Sequence, residues 1–426
     1  MKKTLSIWQL LALNAYWVGL SFMWNTLHPI VLPAVMLNFV PEDRKNTYLG
    51  LLTFVGLVIA MIIQPVSGAL SDGWSSRFGR RRPLIVIGTL IDFVFLALLA
   101  WAGGLTWVFI GYIGLQFSSN IAHGPAQGLL PDCVPPNQIG TASGLKIFMD
   151  MLTMAIATLT AGLLLDPQTR DPALIMTIVM GLLAFSLAVT VLFTPERPAG
   201  NVAEARLAQR AAWRNLASQF PIDFRQNTSY WWLIAQRFVF LLGIYGIQQF
   251  AQYYIKDVLQ VANPQRDTGI LLASITGALL ILAVVGGWLS DRFGARRILQ
   301  VSVVFTAIGC VLLLLGRDIL TLGLYGSILG MGMGLFLTAN WALANKLAPV
   351  QEAGKYLGLT NIATAGAGAL ARLVGPVLDI LNNLRPGLWL GYTVLFLFGS
   401  CCALVSLPLL AKVREQSSTG ESSRNV

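Results

Sequence analysis

Charge is what this sequence has least of. Asp, Glu, Lys and Arg make up 11% of its 426 residues, where a soluble globular chain carries about 25%. Histidine is scarcer still, at two residues, and there are four cysteines. Cys133, Cys310 and the adjacent Cys401 and Cys402 have no zinc-site spacing. No polar segment carries a Ser-His-Asp arrangement or a phosphate loop. Gly330, Gly332 and Gly334 follow no strand and sit in an apolar run, so they are not a nucleotide loop. These absences leave no catalytic residue, no metal site and no cofactor to expect. They exclude a disulfide scaffold and an ordinary soluble enzyme. A net charge of +10 would suit nucleic acid, but not beside 55% hydrophobic residues and a mean hydropathy of +0.68. The composition is that of an integral membrane protein.

Long apolar runs are what the sequence does have. A helix needs about 20 apolar residues to cross the hydrocarbon, and twelve segments qualify: 7–36, 48–70, 84–103, 107–130, 141–165, 173–194, 229–255, 268–289, 298–316, 319–345, 355–379 and 387–410. Barrel strands are short and alternating, so an all-α bundle of twelve transmembrane helices is expected. Pro29 and Pro33 predict that the first helix bends or ends early. Of the 29 basic residues, Arg44, Lys45, Arg170, Lys256, Arg266, Arg317 and Arg385 fall on one side, and Lys146, Arg237 and Arg372 within spans. The other nineteen share the side of both termini, which the positive-inside rule makes cytoplasmic. The first run is too long for a signal peptide. A multi-pass protein of the cell's inner, cytoplasmic membrane follows, in contact with lipid and monomeric. Expected units are a six-helix half (1–194), a cytoplasmic linker (195–228), a second half (229–410) and a tail (411–426). Arg206, Arg210 and Arg214 share one face of the linker, which predicts an amphipathic helix over 202–217.

The halves repeat. Gly68-Ala69-Leu70-Ser71-Asp72 recurs as Gly287-Trp288-Leu289-Ser290-Asp291, and Arg77-Phe78-Gly79-Arg80-Arg81-Arg82 as Arg292-Phe293-Gly294-Ala295-Arg296-Arg297. Pro135, Gly140, Gly144 and Leu145 match Pro349, Gly354, Gly358 and Leu359 at an offset of 214, and Asp166 matches Asp379 at 213. An even-numbered repeat of this kind turns about an axis along the membrane normal.

Twelve spans, a six-plus-six repeat and an Asp-Gly-Arg loop in both halves together resemble the major facilitator superfamily. The resemblance implies its fold, with Asp72, Arg77, Gly79 and Arg81 and their counterparts Asp291, Arg292, Gly294 and Arg296 as a cytoplasmic latch bridging the halves. Ser71-Asp72, four inserted residues and the Arg-Phe-Gly-Arg-Arg-Arg-Pro run are similar to the sucrose-transporter branch of the glycoside–pentoside–hexuronide relatives. So are Asn120, Gly124, Pro125, Asp132 and Thr141-Ala142. Two positions depart: the branch's Arg after Gly-Pro is Gln127, and its proton-linked Asp is Gln116, which cannot titrate.

Polar groups are costly inside a membrane, so their placement carries functional information. Asn14, Ser21, Asn25 and His28 share a face of the first helix, and Gln116, Asn120, His123 and Gln127 a face of the fourth. Tyr245, Gln248, Gln249, Gln252 and Lys256 form a row in the seventh. Thr338, Asn340, Trp341 and Asn345 form one in the tenth, and the eleventh adds Asn361. Candidate solute-binding residues are Asn25, His28, Gln116, Asn120, His123, Tyr245, Gln248, Gln249, Gln252, Asn340, Trp341 and Asn361. Lys146 and Asp150, spaced i,i+4 in the fifth helix, are the candidate coupling pair for H+ or Na+. Asp92, alone in the third helix, is expected to have a structural partner. The expected function is secondary transport of a small polar solute, with a sugar or glycoside implied by the resemblance. Proton-coupled drug or metabolite efflux, and a non-transporting pigment-handling or assembly role, are the alternatives.

Overall fold

The structure is a computed structural model that describes residues 4–74, 76, 78–194, 196, 207, 227–348 and 353–414, with the backbone alone at 353–355 and 357. The expected linker helix over 202–217, Arg77 and the end of the tail lie outside the described residues.

Among the described residues twelve helices run up and down. They are α1 Ile7–Met36, α2 Lys45–Asp72, α3 Arg82–Ala100, α4 Leu105–Cys133, α5 Ile139–Leu164, α6 Ala173–Phe193, α7 Thr228–Leu259, α8 Pro264–Phe293, α9 Ala295–Leu313, α10 Ile319–Leu347, α11 in two segments Ala353–Arg372 and Gly375–Leu384, and α12 Leu390–Ala411. Eleven are long and apolar enough to cross a membrane among the described residues. The exception, α4, is 29 residues long but carries Ser118, Ser119, Asn120, His123, Gln127 and Asp132. Its polar row lowers its hydropathy, and neighbouring helices bury Ser118, Ser119 and Asn120 of that row.

The prolines of α1 do not end it. A π-turn over Leu27–Val31 lets the chain pass Pro29, with the Leu32 N–H bonded to the Leu27 carbonyl five residues back. The same device closes α7, over Ile255–Leu259.

Packing inverts the pattern of a soluble protein. Val94, Leu192 and Val284 are 64%, 72% and 77% exposed on outward faces. Asn14, Asp92, Gln236 and Asn340 are fully buried. Such an outer surface is stable only in lipid.

Contacts follow a twofold rule. In the first half α1 packs on α5 and α6, α4 on α2 and α3, and α3 on α6. The second half repeats this with every number raised by six. The halves meet through α2 with α11 and α5 with α8, which the same operation exchanges. Glycine sets the closest approach: a Cβ on Gly330 of α10 would lie 2.2 Å from the Ile275 carbonyl oxygen of α8. Gly326 and Gly334 pack against α8 in the same way.

Gly330→Ala should therefore lower the melting temperature in detergent by several degrees, since overpacking costs about 1–3 kcal/mol. Gly181→Ala, where a Cβ meets nothing within 4 Å, should leave it unchanged. Equal melting temperatures for the two variants would contradict the packing role.

Candidate functional site

A cavity of about 290 Å³ lies between the halves. Trp24, Asn25, His28 and Pro29 of α1, Leu57 of α2, Tyr245, Gln248 and Gln249 of α7, and Thr364, Ala365, Gly368 and Arg372 of α11 line it. Helical spacing explains the α11 wall. Thr364, Gly368 and Arg372 recur every four residues on one face, and the first two are small enough to leave space. On α1, His28 stacks on Trp24 with ring centroids 4.9 Å apart. Its Nε2 lies 2.9 Å from the Tyr112 hydroxyl of α4, and Gln116 donates to that oxygen at 2.8 Å.

Five of the expected solute-binding residues thus meet in one cavity: Asn25, His28, Tyr245, Gln248 and Gln249. The others lie elsewhere. Gln116 stands behind His28, and Asn120, buried, donates to the Gln116 carbonyl at 2.7 Å. His123 packs edge-on against Trp17 and lies 3.3 Å from Gln127. Gln252 is buried, 2.9 Å from the Pro29 and Ile30 carbonyls once its amide nitrogen faces them. Asn340 accepts from Arg237 Nη1 at 2.6 Å and donates to Gln236 at 3.2 Å. Arg237 also donates to Thr364 Oγ1 at 2.8 Å and lies over the Trp341 ring, 5.4 Å from its centroid. Asn361 is exposed and off the cavity wall. Asp92 accepts from the Ser118 hydroxyl through Oδ1, and its Oδ2 is buried with no partner among the described residues.

The coupling pair is not an ion pair. Lys146 turns its ammonium onto the Trp17 ring, 3.5 Å from the centroid, and Asp150 is exposed. A cation over an indole face can gain more than a water-exposed i,i+4 pair.

One end of the cavity is closed by bonds between the halves. Asp379, on the second segment of α11, accepts from the backbone N–H of Thr47 at 2.7 Å and of Asn46 at 3.3 Å. The Asn46 amide and Thr47 hydroxyl add bonds at 2.8 and 2.6 Å. A carboxylate over the first turn of another helix satisfies orphan donors and meets the positive end of its dipole. Beside it, Asp257 of α7 accepts from Lys45 Nζ and from the Tyr392 hydroxyl, both at 2.6 Å. Glu42 bonds Lys45 at 2.7 Å and Lys256 at 2.8 Å, and Tyr253 donates to the Pro33 carbonyl at 3.0 Å. In sequence Lys45 registers only as a topology charge and Lys256 as a topology charge that also ends the polar row of the seventh helix, while Asp257 carries no signal of its own. The repeat of Asp166 and Asp379 is the available signal, yet their roles differ. Asp166 turns onto its own loop, where the backbone N–H groups of Thr169 and Gln168 hold its carboxyl below the usual range.

At the other end the loop motif closes onto its own half, correcting the expected bridge. Arg81 pairs with Asp72 and, at 2.8 Å, with Asp132 at the end of α4. Arg80 also pairs with Asp132. Burial opposes its charge, but bonding and attraction to Asp132 hold Arg80 above the ordinary guanidinium value. Backbone N–H groups of Arg80 and Arg81 donate to Glu196 at 2.8 and 2.7 Å. Gly79 has φ +102° and faces the Glu196 carboxylate where a side chain would sit. Gly294 repeats the positive φ, at +89°, but not the ion pairs. Asp291 is exposed, Arg292 lies over the Trp288 and Phe293 rings, and Arg296 donates to the Ala411 carbonyl at 3.0 Å. At the repeat offset of 214, the position of Asp132 is taken by Lys346.

Comparison with known proteins agrees with this architecture. A proton-associated sugar transporter A from Rattus norvegicus is 26% identical over 238 residues, which cover 51% of this chain and 31% of that protein. The match thus spans about a third of that relative's length. The multi-drug resistance efflux pump PmrA of Streptococcus pneumoniae is 22% identical over 340 residues, 79% of this chain and 80% of the pump. Among solved structures, a D-xylose-proton symporter superposes with a TM-score of 0.73 at 15% identity, covering 95% and 98% of the two chains. A bacterial homolog of the human lysosomal transporter Spinster, inward-facing and unoccupied, gives 0.72 at 14%, covering 97% and 100%. The Major Facilitator Superfamily profile matches residues 10–372, and the chain belongs to that family of transporters.

Proposed function

We propose that this transporter moves a small polar solute, a sugar or glycoside, across the cytoplasmic membrane by alternating access, coupled to H+ or Na+. The observation that carries the reading is the cavity between the halves, lined by hydrogen-bonding groups and closed at one end. Its volume of about 290 Å³ is at the low end of the roughly 300–1,000 Å³ that ligand pockets occupy. Asn25, His28, Tyr245, Gln248 and Gln249 offer donors and acceptors to hydroxyls, and Trp24 offers an aromatic face. Gln116 and Asn120 buttress His28 from behind. The sugar-transporter relative and the symporter-like fold favour this reading. The efflux pump, which matches more of the chain, favours drug efflux as the second reading, with a broader and less polar cavity.

With both termini cytoplasmic, the closed end faces outward and the loop motifs face inward. The halves rock about the site, so the outer bonds must open in each cycle. Asp379 and Asp257 then act as the outer gate, and the Asp72–Arg81–Asp132 cluster stiffens the inner end of the first half. Asp150, exposed on α5, is the candidate coupling carboxylate, with Lys146 as its electrostatic neighbour.

Asp379→Asn removes one charged acceptor from the α2 cap. A cap contributes about 1 kcal/mol, so accessibility of a single cysteine placed on the outer side of the cavity should rise roughly fivefold. Unaltered labelling would remove Asp379 from the gate. In proteoliposomes, Asp72→Asn should lower the maximal rate severalfold with KM within twofold, and an unchanged rate would sink the stiffening role. Asp150→Asn should abolish solute-driven proton or sodium flux while downhill solute movement continues. Persisting coupled flux would exclude Asp150 as the coupling site. Uptake of labelled sugars and glycosides, set against efflux of a lipophilic dye by the same vesicles, discriminates the two transport readings.

A further inference from the structure

Lys146, Arg237 and Arg372, which lie away from the carboxylate-paired Lys45 and Lys256 at the closed end, have no ion-pair partner among the described residues. Lys146 rests on Trp17. Arg237 is held by the neutral oxygens of Thr364 and Asn340. Arg372 is the most weakly satisfied of the three. Its Nη1 donates to the Gly368 carbonyl of its own helix at 2.7 Å, and its Nε is buried with no partner among the described residues. His28 and Tyr245 share its cavity and Tyr112 bonds His28, and none of these is a carboxylic acid. Asp92, the fully buried acid of α3, is turned onto Ser118.

A second donor in the same cavity is also left over. Gln249 lines it beside Arg372, and its Nε2 is buried without a partner among the described residues. Burying an unpaired ion in a membrane protein is costly, and such charges mark substrate or ion pathways. The Nε–Nη2 edge of a guanidinium presents two parallel donors at the spacing of a carboxylate or phosphate oxygen pair. The cavity therefore lacks a negative charge and two acceptor atoms, and a neutral sugar supplies only the acceptors.

We propose that the transported solute carries an oxyanion, a carboxylate or a phosphate, which seats on the free edge of Arg372 and accepts from Gln249. The hydroxyl-bearing remainder of the solute lies against His28, Trp24 and Tyr245. A positively charged site disfavours sodium at the same place, so the coupling ion binds away from it. The inference deepens the transport reading and relies on it for the solute's passage, not for its binding.

The test uses the full chain in phosphatidylcholine nanodiscs, with calorimetric titration of glucose, glucuronate and glucose 6-phosphate. At least one anion should bind tenfold or more tighter than glucose, and the preferred one distinguishes carboxylate from phosphate. Arg372→Gln should erase that margin, and Arg372→Lys, which keeps the charge without the fork, should retain only part of it. Should Arg372→Gln fail to fold, Gln249→Leu must narrow the margin at least threefold. Anions that bind no tighter than glucose, or a margin untouched in these variants, would overturn the proposal. Proteoliposome uptake separates it from the transport reading. Neutral sugars carried without anion preference remove the anion site alone, whereas anion binding without any solute flux removes transport alone.

Discussion

A carboxylate from one half of this molecule sits on the first turn of a helix from the other. Asp379 bonds to Asn46 and Thr47, and the Lys45–Asp257–Tyr392 cluster lies beside it. With the Asn383 bond to the Asp43 carbonyl and the Lys256–Glu42 pair, these bonds hold the start of α2 against α11 and α7 at this end. The glycines finish the fit. Gly50 meets the Arg372 carbonyl and Gly375 the Asn46 carbonyl at distances that leave no room for a side chain. Together they fix how α2 and α11 meet beside the cavity. The strength of the closure must be moderate. A charged cap and one well-bonded ion pair are each worth a few kcal/mol at most, which holds one orientation without making the other unreachable.

Repetition in the sequence becomes symmetry in the contacts, and its failures are informative. Gly79 and Gly294 both adopt positive φ, so the tight turn is kept in both loops. The acid that anchors the arginines is kept in only one, since Asp132 corresponds to Lys346. The first loop is thus locked to α4 while Arg292 settles on aromatic rings. Asp166 and Asp379 show the same divergence at the other end: one folds onto its own loop, and its counterpart crosses to the other half. A twofold scaffold with unequal fastenings gives each end its own opening energy.

The helices were legible because a bilayer imposes a fixed length of apolar chain, and sequence states that length directly. The site was legible in part. Helical spacing says which residues share a face, but not which way the face turns. For α1 and α7 the polar face turned to the cavity, and Asn25, His28, Tyr245, Gln248 and Gln249 arrived together. For α4 and α10 it turned to neighbouring helices, so Asn120 buttresses and Asn340 binds Arg237. The closed end was hidden for a different reason. Lys45, Lys256 and Asp257 lie at helix ends, where a basic residue reads as a topology marker and an acidic one carries no signal. Their pairing depends on how two distant helices meet. The direct contact of Lys146 with Asp150 is what competition replaced: the Trp17 ring, unseen in a linear reading, offered the ammonium a better place.

The intramembrane charges link the closed end to the cavity floor. Arg372 ends the first segment of α11, and the second segment, beginning at Gly375, carries Asp379. One break in one helix therefore separates a guanidinium facing the cavity from the carboxylate that fastens the closed end. Anything that pulls on Arg372 acts on the same short stretch, Leu373 and Val374, that sets the direction of the Asp379 segment. Gly50 of α2 packs directly on the Arg372 carbonyl, so the two helices that must part are in contact at this break. A solute seated at Arg372 has a mechanical path of a few residues to the gate, and needs no longer chain of contacts. Binding can then bias opening only by the difference in its grip on the two orientations. That difference is available here because the break, the contact and the cap all lie on the helix that holds the solute.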